Sequence, residues 1–264
     1  MAFRQRVDIL LFERGLAPSR EKAKAMVMAG EVEVNGHTVS KPGTQIESDA
    51  LITLKAKPRF VSRGGEKLEH ALTYFGLNVE DRVCADVGAS TGGFTDCLLQ
   101  HGVLRVYAID VGYGQLDYSL RIDPHVIVLE RTNARYVQSL PEQVELVTVD
   151  ASFISLKLLL PVIKGWMQHN ADIIPLIKPQ FEAGRKDVGK GGVVRDALIH
   201  ARVLRDILTF AKEVGFNVSG LTVSPLKGPA GNIEFLAWLS QGNDKVPNYY
   251  NIDALIESVL KKTF

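Results

Sequence analysis

Asp86-Val87-Gly88-Ala89-Ser90-Thr91-Gly92-Gly93-Phe94 ends an apolar run, Val83-Cys84-Ala85, and leads into the helical pattern that follows. A glycine-rich turn at that junction lets backbone approach a ligand closely, and a helix starting at about Gly93 aims its free N–H groups at the same place. The glycines at 88, 92 and 93 do not spell GxGxxG, and no GxxxxGK[ST] occurs in the chain, which counts against nicotinamide and P-loop chemistry. The next apolar run, RVYAI, closes on Asp110, an acidic side chain placed to accept hydrogen bonds from both hydroxyls of a ribose. The reading is an adenosyl-bearing ligand held by Asp86, Gly88, Ser90, Thr91, Gly92, Gly93, Phe94 and Asp110, with Asn133, just past the third apolar run, at the adenine edge.

Working outward, the runs VIVLER, LVTVDAS and ADIIPLIKP follow at helix-length intervals, then FNVSGLTVSPL and NIEFLAWL. Strands spaced by helices predict a doubly wound, mostly parallel sheet with its ligands at the carboxyl ends of the strands. The final two runs are joined by a loop, so they pair as an antiparallel hairpin. The expected fold is α/β and Rossmann-like with seven strands. Its ending resembles that of class I S-adenosylmethionine-dependent methyltransferases, a resemblance that implies S-adenosylmethionine as the methyl donor.

Ahead of this body, Val7, Leu10 and Leu11 fall at helical spacing before Gly15. Ser19 then caps a second helix with Ala23, Met26 and Val27 on one face, ending at Gly30. The pattern switches to period two in Glu31-Val32-Glu33-Val34, turns at Asn35-Gly36, and resumes as His37-Thr38-Val39. The string RVDILLFERGLAPSREKAKAMVMAGEVEVNG, with Lys41-Pro42 and a strand over 49–54, resembles the RNA-binding module named after ribosomal protein S4, a small α+β domain. That resemblance implies RNA contacts by Ser19, Arg20, Lys24, Asn35 and Lys41.

The turn Asp150-Ala151-Ser152-Phe153 lacks the two prolines usual in enzymes that methylate exocyclic amines, and neither Cys84 nor Cys97 is placed to attack a pyrimidine C5. Hydroxyl methylation remains. Here the chain resembles the TlyA (hemolysin A) family of ribosomal RNA 2′-O-methyltransferases, whose catalytic domain is similar to the FtsJ heat-shock methyltransferase. The family's Lys-Asp-Lys-Glu tetrad falls on Lys67 in VSRGGEKL, Asp150 in VTVDASF, Lys178 in PLIKPQFE and Glu234 in GNIEFL. The resemblance implies a cytidine 2′-hydroxyl of 16S or 23S ribosomal RNA as the acceptor and ribosomal subunits as partners. In that reading Lys178 takes the hydroxyl proton, while Asp150 and Glu234 hold the two lysines. A parallel sheet would gather Asp150, Lys178 and Glu234 at one edge, whereas Lys67 precedes the first strand of the body.

The remaining features set bounds. The chain has 264 residues, 46% apolar and 23% charged, enough for one large core and a small extra domain. Net charge is +1, but through Lys67 there are 12 Lys and Arg against 8 Asp and Glu (+4), and thereafter 19 against 22 (−3). A basic front suits a polyanion partner. The longest apolar stretch, Leu156 to Ile163, contains Lys157 and Pro161 and falls short of a membrane span, and the opening residues lack a secretory h-region, so a cytoplasmic protein with no membrane partner is expected. No CxxC and no His spacing suited to metal occurs, so no metal is expected. Expected domains are 1–59, including the basic link Lys55, Lys57, Pro58 and Arg59; 60–242; and a C-terminal extension, 243–264, with a helix bearing Ile252, Leu255, Ile256, Val259 and Leu260. The stretch EAGRKDVGKGGVVRD, with Arg185, Lys186 and Lys190, is expected to be a mobile basic loop closing over RNA. Two other readings stay open: the membrane-lytic toxin that the family name advertises, and an RNA-binding protein that holds S-adenosylmethionine without catalysis.

Overall fold

The computed structural model describes residues 3–55, 58–242, 247–249 and 251–263, so the expectations for Lys57 and for 243–246 lie outside the described residues. The chain divides into two compact units, Met1–Arg59 and Phe60–Phe264.

In the first unit β1 (Arg4–Arg6) leads into α1 (Val7–Glu13), and α2 (Arg20–Met28) follows. The strands β2 (Val32–Val34), β3 (His37–Thr38), β4 (Gln45–Glu47) and β5 (Ile52–Leu54) complete it. Ser19 caps α2 by accepting from Lys22 N–H at 3.1 Å. Asn35 and Gly36 take φ of 50° and 80°, the left-handed pair that lets β2 turn tightly into β3. The antiparallel sheet runs β3-β2-β5, and β1 pairs separately with β4. Val7 and Leu11 of α1, Ala23 and Val27 of α2, and Val32, Ile46 and Ile52 of the strands form one core.

The second unit opens with α3 (Gly64–Phe75). It continues through β6 (Val83–Val87), α4 (Gly93–Gln100), β7 (Arg105–Ile109), α5 (Tyr118–Arg121), β8 (Val126–Leu129), β9 (Val144–Val149), α6 (Leu156–Lys164) and β10 (Met167–Ile177). It ends with α7 (Pro179–Glu182), α8 (Ala197–Val214), β11 (Asn217–Val223), β12 (Phe235–Ser240) and α9 (Ile252–Leu260). The seven-stranded sheet has the order β11-β12-β10-β9-β6-β7-β8. Neighbours from β10 to β8 are parallel, and β12 lies antiparallel between β10 and β11.

Alternation along the strands feeds two layers. Val83, Ala85, Val87, Ile173 and Ile177 pack with Leu160 and Ile163 of α6, Leu204 and Ile207 of α8 and Ile256 of α9. Cys84, Ile174 and Leu176 pack on the other side with Leu68 and Leu72 of α3 and Phe94 and Leu98 of α4. Helices on both faces therefore bury a sheet whose carboxyl edge stays open.

Candidate active site

The strand ends are in line. Gly88 N–H donates to Ile109 O at 2.8 Å, Asp150 N–H to Val87 O at 2.9 Å, and Asp110 N–H to Leu129 O at 3.1 Å, so the segments leaving β6, β7 and β9 start side by side. Gly88 has φ of 84°, and a Cβ there would meet the Asp150 carbonyl oxygen at 2.7 Å. Only glycine permits that approach.

Two adjoining cavities lie along this edge. One, of about 670 Å³, is lined by Gly88, Ser90, Asp110, Asn133 and apolar groups including Val87 and Ile109. Asp110 anchors its floor: Oδ2 accepts from Ser90 N–H at 2.8 Å and Oδ1 from Gly112 N–H at 2.7 Å. Each carboxylate oxygen keeps further acceptor capacity, so two ligand hydroxyls can still be bound. Asn133 accepts from Arg135 N–H at the start of a short 3₁₀ turn. Asp86 lines neither cavity. It is fully buried and accepts from Thr95 Oγ1 at 2.7 Å and Thr148 Oγ1 at 3.1 Å, and burial pushes its carboxyl up to about 7. Gly92, at φ of 96°, caps α4 and also lines neither.

The second cavity, of about 480 Å³, shares Gly88, Ser90, Asp150 and Ser152 with the first, and adds Thr91, Gly93, Phe94, Lys67, Lys178 and Lys227. Lys178 follows β10, where Pro179 stops the strand and begins α7. Its Nζ lies 2.6 Å from Asp150 Oδ1 and donates to Ser152 Oγ at 2.9 Å and Asp150 O at 3.4 Å. Lys67, from α3, donates to Glu234 Oε2 at 2.6 Å. Glu234 is 1% exposed and also accepts from Gln180 Nε2 at 3.1 Å. A Cβ on Gly228 would sit 2.5 Å from Glu234 Oε1, so the loop before β12 closes over this carboxylate. The four predicted side chains thus form two ion pairs. Lys67, Asp150 and Lys178 face the cavity, and Glu234 stands behind Lys67.

Sequence reasoning missed several neighbours. Ser152, in the turn after β9, and Gln180, in the four-residue α7, hold the two pairs where no periodicity marks them. Phe153, with φ of 62° and 90% exposure, lies on the wall of the larger cavity, its ring centroid 4.8 Å from that of Phe181. Glu182 fastens this region by accepting from Ser155 Oγ at 2.6 Å and Leu156 N–H at 2.8 Å, and burial raises its carboxyl. The stretch read as a mobile basic loop starts at Glu182, the last residue of α7, and carries a bridge between Gly189 and Val193.

In the first unit Arg20, Lys24 and Lys41 are exposed. Ser19 is engaged in capping, and Asn35 Oδ1 accepts from Leu51 N–H at 3.1 Å. Among the described residues no helix is long and apolar enough to cross a membrane.

The family described as FtsJ-like methyltransferase matches residues 60–241, and the S4 domain matches residues 5–52. The chain is 47% identical over 249 residues to the Mycobacterium tuberculosis 16S/23S rRNA (cytidine-2′-O)-methyltransferase TlyA, covering 93% of each chain. It is 49% identical over 251 residues to a candidate rRNA methyltransferase of Bacillus subtilis, YqxC, covering 91% of this chain and 88% of that one. A solved structure of a Streptococcus thermophilus protein, named as a candidate hemolysin, superposes with a TM-score of 0.73 at 44% identity, covering 98% of this chain and 97% of the other.

Proposed function

The chain belongs to the FtsJ-like methyltransferase family, and from that premise we propose that it transfers the methyl group of S-adenosylmethionine to a cytidine 2′-hydroxyl of ribosomal RNA in the cytoplasm. The observation that carries this reading is the meeting of Lys178–Asp150 and Lys67–Glu234 at a cavity that adjoins the one floored by Asp110. The name of the tuberculosis relative supports the acceptor atom, and the S4 domain supports an RNA substrate.

The larger cavity fits the donor by the chemistry of its lining. Asp110 suits the ribose diol, Asn133 the adenine edge, and the apolar wall of Val87 and Ile109 the flat ring, within a volume of about 670 Å³. Bound S-adenosylmethionine supplies an electrophilic methyl carried on a sulfonium that is its own leaving group.

The protein's residues do the rest. An alcohol is a poor nucleophile, so the 2′-hydroxyl must give up its proton as the new C–O bond forms. Lys178, as the free amine, accepts that proton. Asp150 and Ser152 keep its Nζ in one place, and Asp150 then stabilises the ammonium that results. Lys67 presents a fixed positive charge to the oxygen, held by Glu234 and, through it, by Gln180. Phe153 offers an exposed flat face beside the site on which a nucleobase can stack. Arg20, Lys24 and Lys41 are the exposed cations with which the first unit grips phosphate.

A membrane-lytic role finds no support in the buried ion pairs and polar cavities at the sheet edge. The deciding experiment is incubation with ribosomal subunits and labelled donor, followed by alkaline hydrolysis of the RNA. A 2′-O-methyl blocks cleavage at its own linkage, so the label is expected in an alkali-resistant dinucleotide. Label released in mononucleotides refutes ribose methylation.

A further inference from the structure

Away from the cavities, Glu69 of α3 and Cys97 and His101 at the end of α4 bring one oxygen, one sulfur and one nitrogen within 4.8 Å of one another. Cys97 Sγ lies 3.8 Å from Glu69 Oε2 and 3.8 Å from His101 Nδ1, and His101 Nε2 lies 3.5 Å from Glu69 Oε2. Zinc bonds of about 2.3 Å to sulfur and about 2.0–2.2 Å to nitrogen and oxygen, at tetrahedral angles, put ligand atoms roughly 3.4–3.6 Å apart. Glu69 Oε2 is already at nearly that spacing from both Cys97 Sγ and His101 Nε2, and one ligand atom from each of the three residues falls within 4.8 Å of the others. We propose that Glu69, Cys97 and His101 form a zinc site that clamps α3 to α4.

The chemistry of the set supports a borderline-soft ion, since a thiolate and an imidazole with one carboxylate favour zinc over calcium or magnesium. His101 is already oriented. Its Nδ1 lies 2.8 Å from Cys97 O, and because a carbonyl can only accept, Nδ1 is the donor there and Nε2, turned towards Glu69, is the nitrogen placed for the metal. Orientation of a ligating histidine through its other nitrogen is how metal sites fix their ligands. The side chains of His101 and Glu69 are 29% and 23% exposed, so an ion can enter from solvent, whereas Cys97 is buried and closed to larger electrophiles. Binding replaces the S–H bond of Cys97 with a Zn–S bond and releases that proton to bulk solvent, while a separate neutral water takes the fourth coordination position.

The site would act structurally. Glu69 follows Lys67 by two residues, roughly 200° around α3, so the ion sits on the side of the helix turned away from the Lys67–Glu234 pair. Cys97 and His101 are four apart and share one face of their helix, but the third ligand lies 28 residues from Cys97 on another helix, so sequence spacing hides the set.

Titration of the full, reduced chain with Co²⁺ tests this, because a thiolate bound to cobalt gives an intense near-ultraviolet charge-transfer band. The band is expected to saturate at one ion per chain and to vanish when Zn²⁺ is added. Glu69→Gln and His101→Gln, at partly exposed positions, should each weaken binding by at least about tenfold. Cys97→Ser should remove the band, and Cys84→Ala should leave it. No band at saturating cobalt, or a band untouched by the Glu69 and His101 changes, would overturn the proposal and leave these residues as a plain ion pair beside a thiol. None of these readouts depends on methyl transfer.

Discussion

Lys67 Nζ lies 2.6 Å from Glu234 Oε2, joining the helix ahead of the first strand of the large sheet to the residue just before its last. Both partners are buried, so removing one leaves the other charged and desolvated. Glu234→Ala or Lys67→Ala should lower stability by about 3–5 kcal/mol, read from urea unfolding midpoints. Lys67→Met with Glu234→Gln should be less damaging than the sum of the single changes, with a coupling above about 1 kcal/mol. Additive losses would mean that the pair is not formed.

Lys178 can be separated into charge and base. Arginine keeps the cation but cannot release a proton. Lys178→Arg should therefore slow single-turnover methylation by about 10²-fold or more while donor binding is unchanged. Lys178→Arg with near-normal turnover would leave electrostatics as the whole contribution.

Asp110 should govern the donor and not the RNA. Its carboxylate also orders Ser90 and Gly112, so Asp110→Ala removes both ligand bonds and turn bonds. Calorimetry should show donor binding weakened by roughly 10–100-fold, the worth of charge-assisted hydrogen bonds, with RNA affinity in gel shifts unaltered.

Phe153→Ala should do the reverse. A stacking face is worth about 1–3 kcal/mol per base, so KM for ribosomal RNA should rise by roughly 5–150-fold while donor affinity holds. Equal effects on donor and RNA would mean that the ring's exposed face serves the donor as well as the RNA.

Asp86 gives a pH signature. Its folded carboxyl titrates at about 7, above the ordinary 3.8, because burial disfavours the charge. The folded state therefore holds the proton more tightly, and this contribution to stability is full below pH ~4 and lost as pH rises towards ~7. The loss is at most on the order of 4 kcal/mol. Asp86→Asn should flatten the stability profile over that window and leave it unchanged in slope above it. A slope equal to that of the wild type would place the titration elsewhere.

Much of this was legible in the sequence, for identifiable reasons. The two periodicities located the helices and strands, and a parallel sheet puts strand-end residues such as Asp150 and Lys178 at one edge. Asp86 shows where that reasoning stopped short. It lies in β6 among Val83, Ala85 and Val87, which face the α6–α8 layer, so strand alternation turns its side chain to the opposite face, where Thr95 and Thr148 meet it. Ser19 and Asn35 occupy the cap and the turn that the sequence marks, and the structure uses their oxygens there. Gln180 and Ser152 left no signal because their partners come from distant strands. The three-residue β1 and the four-residue α7 are too short for any period to register.

The antiparallel insertion of β12 has a consequence for how the molecule is made. β11 has no place beside β10 until β12 arrives between them, and Glu234 stands at the threshold of β12. On the ribosome the glycine turn, Asp110, Asp150 and Lys178 all emerge first and can assemble into a sheet of five parallel strands with one edge raw. Lys67, made early, waits for a partner 167 residues downstream. The nascent chain is therefore expected to acquire its donor cavity before its full charge set, so that catalytic competence arrives with the last strand and a stalled or truncated product is inert.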